Sequence, residues 1–186
     1  DVVVLEDPQS NVFHKAMSFP GPAGEPRLLT VAGTEATVKT WRNENGKLVP
    51  TALWEKDFGG RHSRMRDVEI ADLYAEGQPS LAVATHDQGV VAVLRPEGKG
   101  GCTGNELDQE PDIFVHESEV GDLDGDGVLE VYATPSEPNR LDGRDQKGAV
   151  VRYVPAKDEG RVVVADLGSR HAKEILVDDV DGDGRD

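Results

Sequence analysis

A chain of 186 residues can bury a sizeable core, and its 36 acidic against 20 basic residues give a formal charge of −16. This negative charge argues against a nucleic-acid ligand and against electrostatic attachment to anionic lipid, because both need a positive surface. No apolar run approaches the roughly 20 residues that cross a bilayer, so no membrane insertion is expected.

Short segments rich in β-branched residues recur along the chain and predict strands. In chain order these segments are 27–32, 36–41, 47–54, 66–71, 80–85, 89–94, 113–121, 130–134, 149–154, 161–166 and 174–178. Residues 95–111 have the composition of a loop, and no helix is expected. The sequence therefore predicts an all-β fold.

The acidic loop at 122–130 carries the most specific chemical signal. Carboxylates stand at Asp122, Asp124 and Asp126, and Glu130 lies four residues beyond the last of them. Ca²⁺ takes six to eight oxygen ligands, and this spacing can supply side-chain oxygens together with the backbone carbonyl of Val128. All five residues are therefore predicted to be calcium ligands.

The same pattern returns at 179–186 and predicts a second set of ligands. That set consists of Asp179, Asp181, Asp183 and, at the position equivalent to Val128, Arg185. The loop at 122–130 is not an EF-hand, which needs a glutamate at position 12 and flanking helices. Counted from Asp122, position 12 is Ala133, and the flanking segments are predicted strands.

A strand, then this acidic loop, then a strand ending in small residues resembles the FG-GAP, or VCBS-like, repeat. That repeat occurs in integrin α-subunit propellers and in many bacterial surface proteins. Phe58-Gly59 corresponds to the "FG" element and Ala133-Thr134-Pro135 to the "GAP" element. The resemblance implies a β-propeller of four-stranded antiparallel blades, with one repeat per blade and Ca²⁺ in the loops.

The loop glycines give the period of the repeat. Gly77, Gly127 and Gly184 lie 50 and 57 residues apart, which suits a four-stranded blade. The approximate repeats are 8–54, 55–111 and 112–166, with 167–186 starting a further blade. Propellers typically have four to eight blades, so we expect an incomplete ring of about three. The rest of a larger propeller or a second chain would complete it.

The two earlier loops depart from the acidic pattern. The loop at 72–80 keeps Asp72 and Glu76 but has Tyr74 and Ser80 at other ligand positions. No strong calcium site is expected there. The segment at 20–26 is predicted to be a metal-free turn.

Three basic residues, Arg66, His116 and Lys173, stand six positions before successive loops. The resemblance places this part of each repeat on the strand that lines the propeller channel. The three side chains could there converge on an anionic ligand such as an acidic sugar. The alternative is that each pairs with a neighbouring acidic side chain. A zinc site from His62, His116 and His171 is less favoured, because their offsets from the loops are unequal.

The chain has no nucleophile motif, P-loop or dinucleotide-binding glycine pattern, so no catalytic residue is assigned. We expect a calcium-stabilised binding module for a protein or carbohydrate ligand. Its expected location is secreted, periplasmic or on the cell surface, where Ca²⁺ is abundant. The alternatives are part of a propeller-fold carbohydrate-active lyase or dehydratase, and a structural spacer. Cys102 is either a free loop thiol or bridged to sequence outside this chain.

Overall fold

The computed structural model describes residues 4–21, 23–98, 100–139, 141–182 and 186. Within these ranges the protein is all-β, apart from one turn of 3₁₀ helix at Pro155–Lys157. The strands are β1 (Phe13–Pro20), β2 (Pro26–Ala32), β3 (Ala36–Glu44), β4 (Lys47–Lys56), β5 (Met65–Ala71), β6 (Ser80–Thr85), β7 (Val90–Pro96), β8 (Cys102–Gln109), β9 (Phe114–Gly121), β10 (Glu130–Ser136), β11 (Ala149–Val154) and β12 (Glu159–Asp166). No described residue lies in a helix long and apolar enough to span a bilayer.

The strands form three four-stranded antiparallel sheets in chain order. The sheets are β1-β2-β3-β4, β5-β6-β7-β8 and β9-β10-β11-β12, each joining strands that are consecutive in the chain. The prediction of an all-β fold built from four-stranded antiparallel sheets is therefore confirmed.

Two local predictions are wrong: a strand lies where a loop was expected, and an expected strand at 174–178 is absent. The segment 95–111 contains β8, whose residues 103–106 are exposed, so this strand carries no apolar alternation. Residues 174–178 form no strand and instead run along the outer side of the third sheet, where Ile175 and Val177 help to line a cavity. Cys102 is a half-buried free thiol.

Two apolar clusters join the three sheets. Leu81 and Val83 of β6 belong to the cluster between the first and second sheets, whereas Ala82 and Ala84 belong to the cluster between the second and third. Side chains alternate between the faces of a strand, so the middle sheet is buried on both sides. This double burial explains why β6 and β7 have continuous apolar runs rather than alternating ones.

The first strands of the sheets lie together along one side of the molecule. Strand β5 contacts β1 and β2 on one side and β9 on the other, and β8 contacts both β4 and β12. The turns β1–β2, β5–β6 and β9–β10 consequently lie at one end, which we call the loop end. The starts of β1, β5 and β9 and the β6–β7 turn lie at the other, which we call the histidine end.

Candidate functional site

The acidic loop between β9 and β10 brings three carboxylates together. Single oxygens of Asp122, Asp124 and Asp126 all lie within 4.8 Å of one another. The Asp122 carboxylate organises the loop, because Oδ1 accepts a hydrogen bond from the Asp126 amide at 3.0 Å and Oδ2 accepts one from Gly127 at 2.7 Å. Gly125 and Gly127 have φ of +69° and +82°, which glycine adopts without steric cost.

The cluster is exposed and strongly negative. Asp122 is half-buried, and Asp124 and Asp126 are exposed. Lys157, from the turn between β11 and β12, places Nζ 2.5 Å from Asp126 Oδ2. This hydrogen bond holds the pKa of Asp126 below its ordinary value. The loop thus offers carboxylate oxygens to solvent, and one of them already contacts a cation.

Glu130 lies outside the three-aspartate cluster. It is only 2% exposed, and its Oε1 accepts a hydrogen bond from Arg152 Nη1 at 2.9 Å. Its Oε2 accepts hydrogen bonds from the Tyr132 hydroxyl and from the Leu123 amide, the latter at 3.2 Å. Burial and this bond to Glu130 raise the pKa of Tyr132. To join a metal shell, Glu130 would have to share an oxygen between these donors and the ion.

Val128 stands in the same loop, where its amide donates to Asp126 Oδ1 at 2.8 Å. Of the second predicted set, Asp183 and Arg185 lie outside the described residues. Asp179 forms a turn, in which Oδ1 accepts a hydrogen bond from Gly182 at 2.7 Å. Asp186 Oδ2 accepts a hydrogen bond from the Asp122 amide at 2.7 Å, which ties the end of this segment to the first loop.

The chemistry of the donor set fits a hard cation. All the side-chain donors at Asp122, Asp124 and Asp126 are carboxylate oxygens, which suit Ca²⁺ or Mg²⁺ better than softer transition metals. Three carboxylates this close repel one another, and a divalent ion would remove that repulsion. The residues present therefore fit Ca²⁺.

The loop between β5 and β6 has the same backbone arrangement with different side chains. Asp72 accepts hydrogen bonds from the amides of Glu76 and Gly77 at 3.0 and 2.7 Å, as Asp122 does in the acidic loop. The Arg95 guanidinium lies 4.4 Å from the centre of the Tyr74 ring and pairs with Glu76. An arginine thus offsets the charge of Glu76 in this loop.

The three predicted ligand-binding residues occupy the histidine end. Arg66 Nε donates to the backbone carbonyl of His116 at 3.0 Å, and His116 Nε2 lies 3.1 Å from Ser136 Oγ. His116 is buried, and Lys173 is exposed. Burial, the largest cause, and the nearby charges of His86, His171, Arg66 and Lys173 together lower the pKa of His116 to about 4. The structure thus brings Arg66 and His116 into contact, with Lys173 near them.

The acidic neighbours of these residues contact other groups. Lys15 Nζ lies 2.7 Å from Asp67 Oδ1 and also contacts Glu69. The amide and hydroxyl of Ser118 donate to Asp67 Oδ2 at 2.8 and 3.0 Å. Burial, with the charges of Asp67 and Glu174, raises the pKa of Glu117 to about 7.

Four histidines meet at the histidine end, which the sequence analysis did not predict. The ring centroids of His14 and His86 are 6.3 Å apart, those of His86 and His116 5.6 Å, and those of His116 and His171 5.5 Å. His62, which the zinc alternative used, is not one of the four. No common offset from the loops marks these residues, so only the three-dimensional arrangement identifies them.

No protein-family model matches the chain, and no curated protein matches it either.

Proposed function

We propose that the chain is a calcium-stabilised segment of an FG-GAP-like β-propeller that serves as a non-catalytic binding module. The observation that carries this proposal is the convergence of Asp122, Asp124 and Asp126 within 4.8 Å in a tight loop between two strands. An ion held there would tie the end of β9 to the start of β10 and offset the repulsion among the carboxylates. Its role is structural.

Ca²⁺ would take side-chain oxygens from the three aspartates and the backbone carbonyl of Val128. Glu130 would share an oxygen between its hydrogen-bond donors and the ion, and Lys157 would leave Asp126. A second ion would take Asp179, Asp181 and Asp183, with the carbonyl of Arg185. The contact of Asp186 with the Asp122 amide supports a link between the two sites.

The partner in this proposal is the rest of the propeller or a second chain, packed on the outer face of the third sheet. Val162, Val163 and Val164 of β12 are 44%, 55% and 47% exposed. Next to them, Tyr132, Val150 and the 175–177 segment line a cavity of about 680 Å³. An exposed apolar surface of this kind marks an interaction site.

The ligand in this proposal is a protein or an acidic carbohydrate. The chain would bind it as a secreted, periplasmic or cell-surface protein. Arg66, His116 and Lys173 are its candidate contacts, because Arg66 and Lys173 supply positive charge and His116 supplies a hydrogen-bonding ring at the histidine end of a chain that is otherwise acidic. A nucleic-acid ligand and an anionic membrane are not proposed, because the chain carries a formal charge of −16.

One observation favours the enzyme alternative, a propeller-fold lyase or dehydratase. The pKa of Glu117 is raised to about 7 and that of the adjacent His116 is lowered to about 4, and shifts of this size are typical of catalytic acids and bases. Turnover of acidic oligosaccharides that is lost in Glu117→Gln would support this alternative. Binding of the same sugars without turnover would support the binding module.

A calcium titration tests the main proposal. Calorimetry should show binding, and the melting temperature should rise with Ca²⁺ and fall again with chelator, because the ion binds the folded chain alone. The Asp124→Asn variant should lose most of both effects. Asp142→Asn, which changes an exposed aspartate outside the loops at 122–130 and 179–186, is the control. Equal melting temperatures with ion and with chelator would refute a calcium-stabilised fold.

A further inference from the structure

The four histidines of the histidine end come from all three sheets. His14 lies in β1, His86 in the turn after β6, His116 in β9 and His171 after β12. The histidine cluster therefore joins parts of the chain that are far apart in sequence. Any force within it acts between sheets rather than within one.

Aromatic contacts hold the histidine cluster together. The His86 ring lies 4.2 Å from the Phe114 ring with a tilt of 31°, and the His86 and His116 rings meet edge to face at 5.6 Å. The His116 and His171 rings are 5.5 Å apart. Such separations are those of packed aromatic pairs, which are favourable for neutral rings.

Two of these rings have a buried nitrogen that no protein group within the described ranges satisfies. Among the described residues, Nδ1 of His14 and of His86 is buried without a hydrogen-bond partner. The Asp87 carboxylate lies beside His86, with its Oδ1 3.5 Å from Nδ1. Arg64 already holds this carboxylate, with Nε at 2.7 Å and Nη2 at 2.9 Å.

Charged groups surround the histidine cluster on every element packed against it. They are Lys15 of β1, Arg64, Arg66 and Asp67 in and before β5, Asp87 in the β6–β7 turn, Glu117 of β9, and Lys173 and Glu174 of the C-terminal segment. Asp87 is paired with Arg64, and Asp67 with Lys15. The carboxylates nearest the rings are thus largely committed to other cations.

We propose that the histidine cluster is an acid-sensitive junction, in which protonation of the imidazoles places like charges between the three sheets and loosens their packing at this end. Burial lowers the pKa of His116 to about 4, and burial followed by the charge of Arg66 lowers that of His14, which agrees with this geometry. Two neighbouring imidazolium rings about 5.5 Å apart repel, and partial burial strengthens the repulsion.

The sign of the pH effect follows from proton linkage. The unfolded chain binds a proton at His116 near pH 6.5, whereas the folded chain does so only near pH 4. The stability that neutral His116 contributes is therefore complete above pH 6.5 and is lost as the pH falls towards 4. The shift at His14 has the same sign.

Glu117 changes the pH dependence of stability in the opposite direction, so the experiment below substitutes it with glutamine. Its pKa is raised from 4.5 to about 7, so the folded chain binds this proton more tightly than the unfolded chain does. Its contribution to stability is complete below pH 4.5 and is lost as the pH rises through 7. In the wild type it therefore offsets part of the effect of the histidines.

The experiment compares urea unfolding of Glu117→Gln with that of Glu117→Gln/His116→Gln, both in saturating Ca²⁺. In the single variant, the unfolding constant should rise roughly tenfold between pH 6.5 and 5. The second substitution should flatten most of this rise, because glutamine keeps a polar partner for Ser136 but cannot become charged. Adding His62→Gln in place of His116→Gln should leave the rise unchanged.

A second measurement keeps the proposal testable if the double variant does not fold. NMR titration of the imidazoles in the wild-type chain should give His116 a midpoint near pH 4. The protection of amides around the β6–β7 turn and the start of β9, relative to their intrinsic exchange rates, should fall below pH 5. A His116 midpoint near 6.5, or the same pH slope with and without His116, would overturn the proposal.

Discussion

The loops at 72–80 and 122–130 have the same backbone arrangement but differ in charge. In both, the first aspartate accepts hydrogen bonds from the fourth and fifth residues after it, at 3.0 and 2.7 Å. At the third position, however, one loop has Tyr74 and the other Asp124. The loop conformation therefore does not depend on the full set of acidic residues, because the hydrogen bonds to its first aspartate are the same in both loops.

The two loops also differ in how their charge is neutralised. Arg95 stacks on Tyr74 and pairs with Glu76, so a cation of the chain itself offsets the charge of Glu76 in the loop at 72–80. In the acidic loop, Lys157 contacts only Asp126 of the three clustered aspartates. An attached arginine and a bound ion are thus alternative solutions to the same electrostatic problem. Substitutions that separate loop folding from ion binding test this comparison.

The largest effect is expected for Asp122→Ala compared with Asp72→Ala. Each change removes two hydrogen bonds to a half-buried carboxylate, which costs about 1–3 kcal/mol of unfolding free energy. Asp122→Ala should in addition abolish ion binding at its loop, so its cost should be larger in Ca²⁺ than in chelator. Asp72→Ala should cost the same in both. Chemical denaturation under the two conditions measures the difference, and a calcium-dependent cost at Asp72 would undo the comparison.

A smaller and purely calcium-dependent effect is expected for Asp124→Asn. Asp124 is an exposed member of the cluster, and its Oδ1 accepts one hydrogen bond, from the Asp126 amide at 3.2 Å. An asparagine oxygen can still accept that bond, so only the charge is lost. We expect calcium affinity to fall about tenfold and the melting temperature to fall only when Ca²⁺ is present. An equal fall in chelator would exclude a ligand role for Asp124.

The sequence predicted those parts of the fold that repeat a local pattern. The runs at 80–85 and 149–154 coincide with β6 and β11, because buried β-branched residues mark a central strand wherever it lies. Strand β8 escaped prediction because an outer strand with exposed side chains has no apolar pattern to detect. The acidic cluster was predictable for the same local reason, since its three aspartates occupy every second position of one short loop.

Long-range contacts could not be predicted from spacing. Glu130 fits a ligand position by its number in the loop, yet Arg152, 22 residues further along, already holds its carboxylate. The histidine cluster joins residues that lie in different sheets, so no window of sequence contains it. Both features follow from how the strands pack, not from the residues beside them.

The next largest effect is expected from creating a calcium site in the loop at 72–80. Tyr74→Asp restores a carboxylate at the third position, and Arg95→Ser in the same chain removes the guanidinium that would compete with an ion. Because the backbone already matches that of the acidic loop, the double variant should bind one more Ca²⁺ than the wild type, in the weak millimolar range typical of extracellular modules. Arg95→Ser alone is the control and should add none. Unchanged stoichiometry in the double variant would contradict the equivalence of the two loops.

The smallest effect is expected for Lys157→Met. Its ammonium contacts Asp126 at 2.5 Å and must leave before an ion can use that oxygen, so it competes with calcium from within the chain. Both partners are exposed, which keeps the contribution small and sensitive to salt. We expect calcium affinity to rise about threefold at low salt and the gain to shrink at high salt. Lys47→Met, a change to an exposed lysine in β4, should leave the affinity almost unchanged. If Lys157→Met weakened calcium binding instead, the lysine would support the loop rather than compete with the ion, and the parallel with Arg95 would fail.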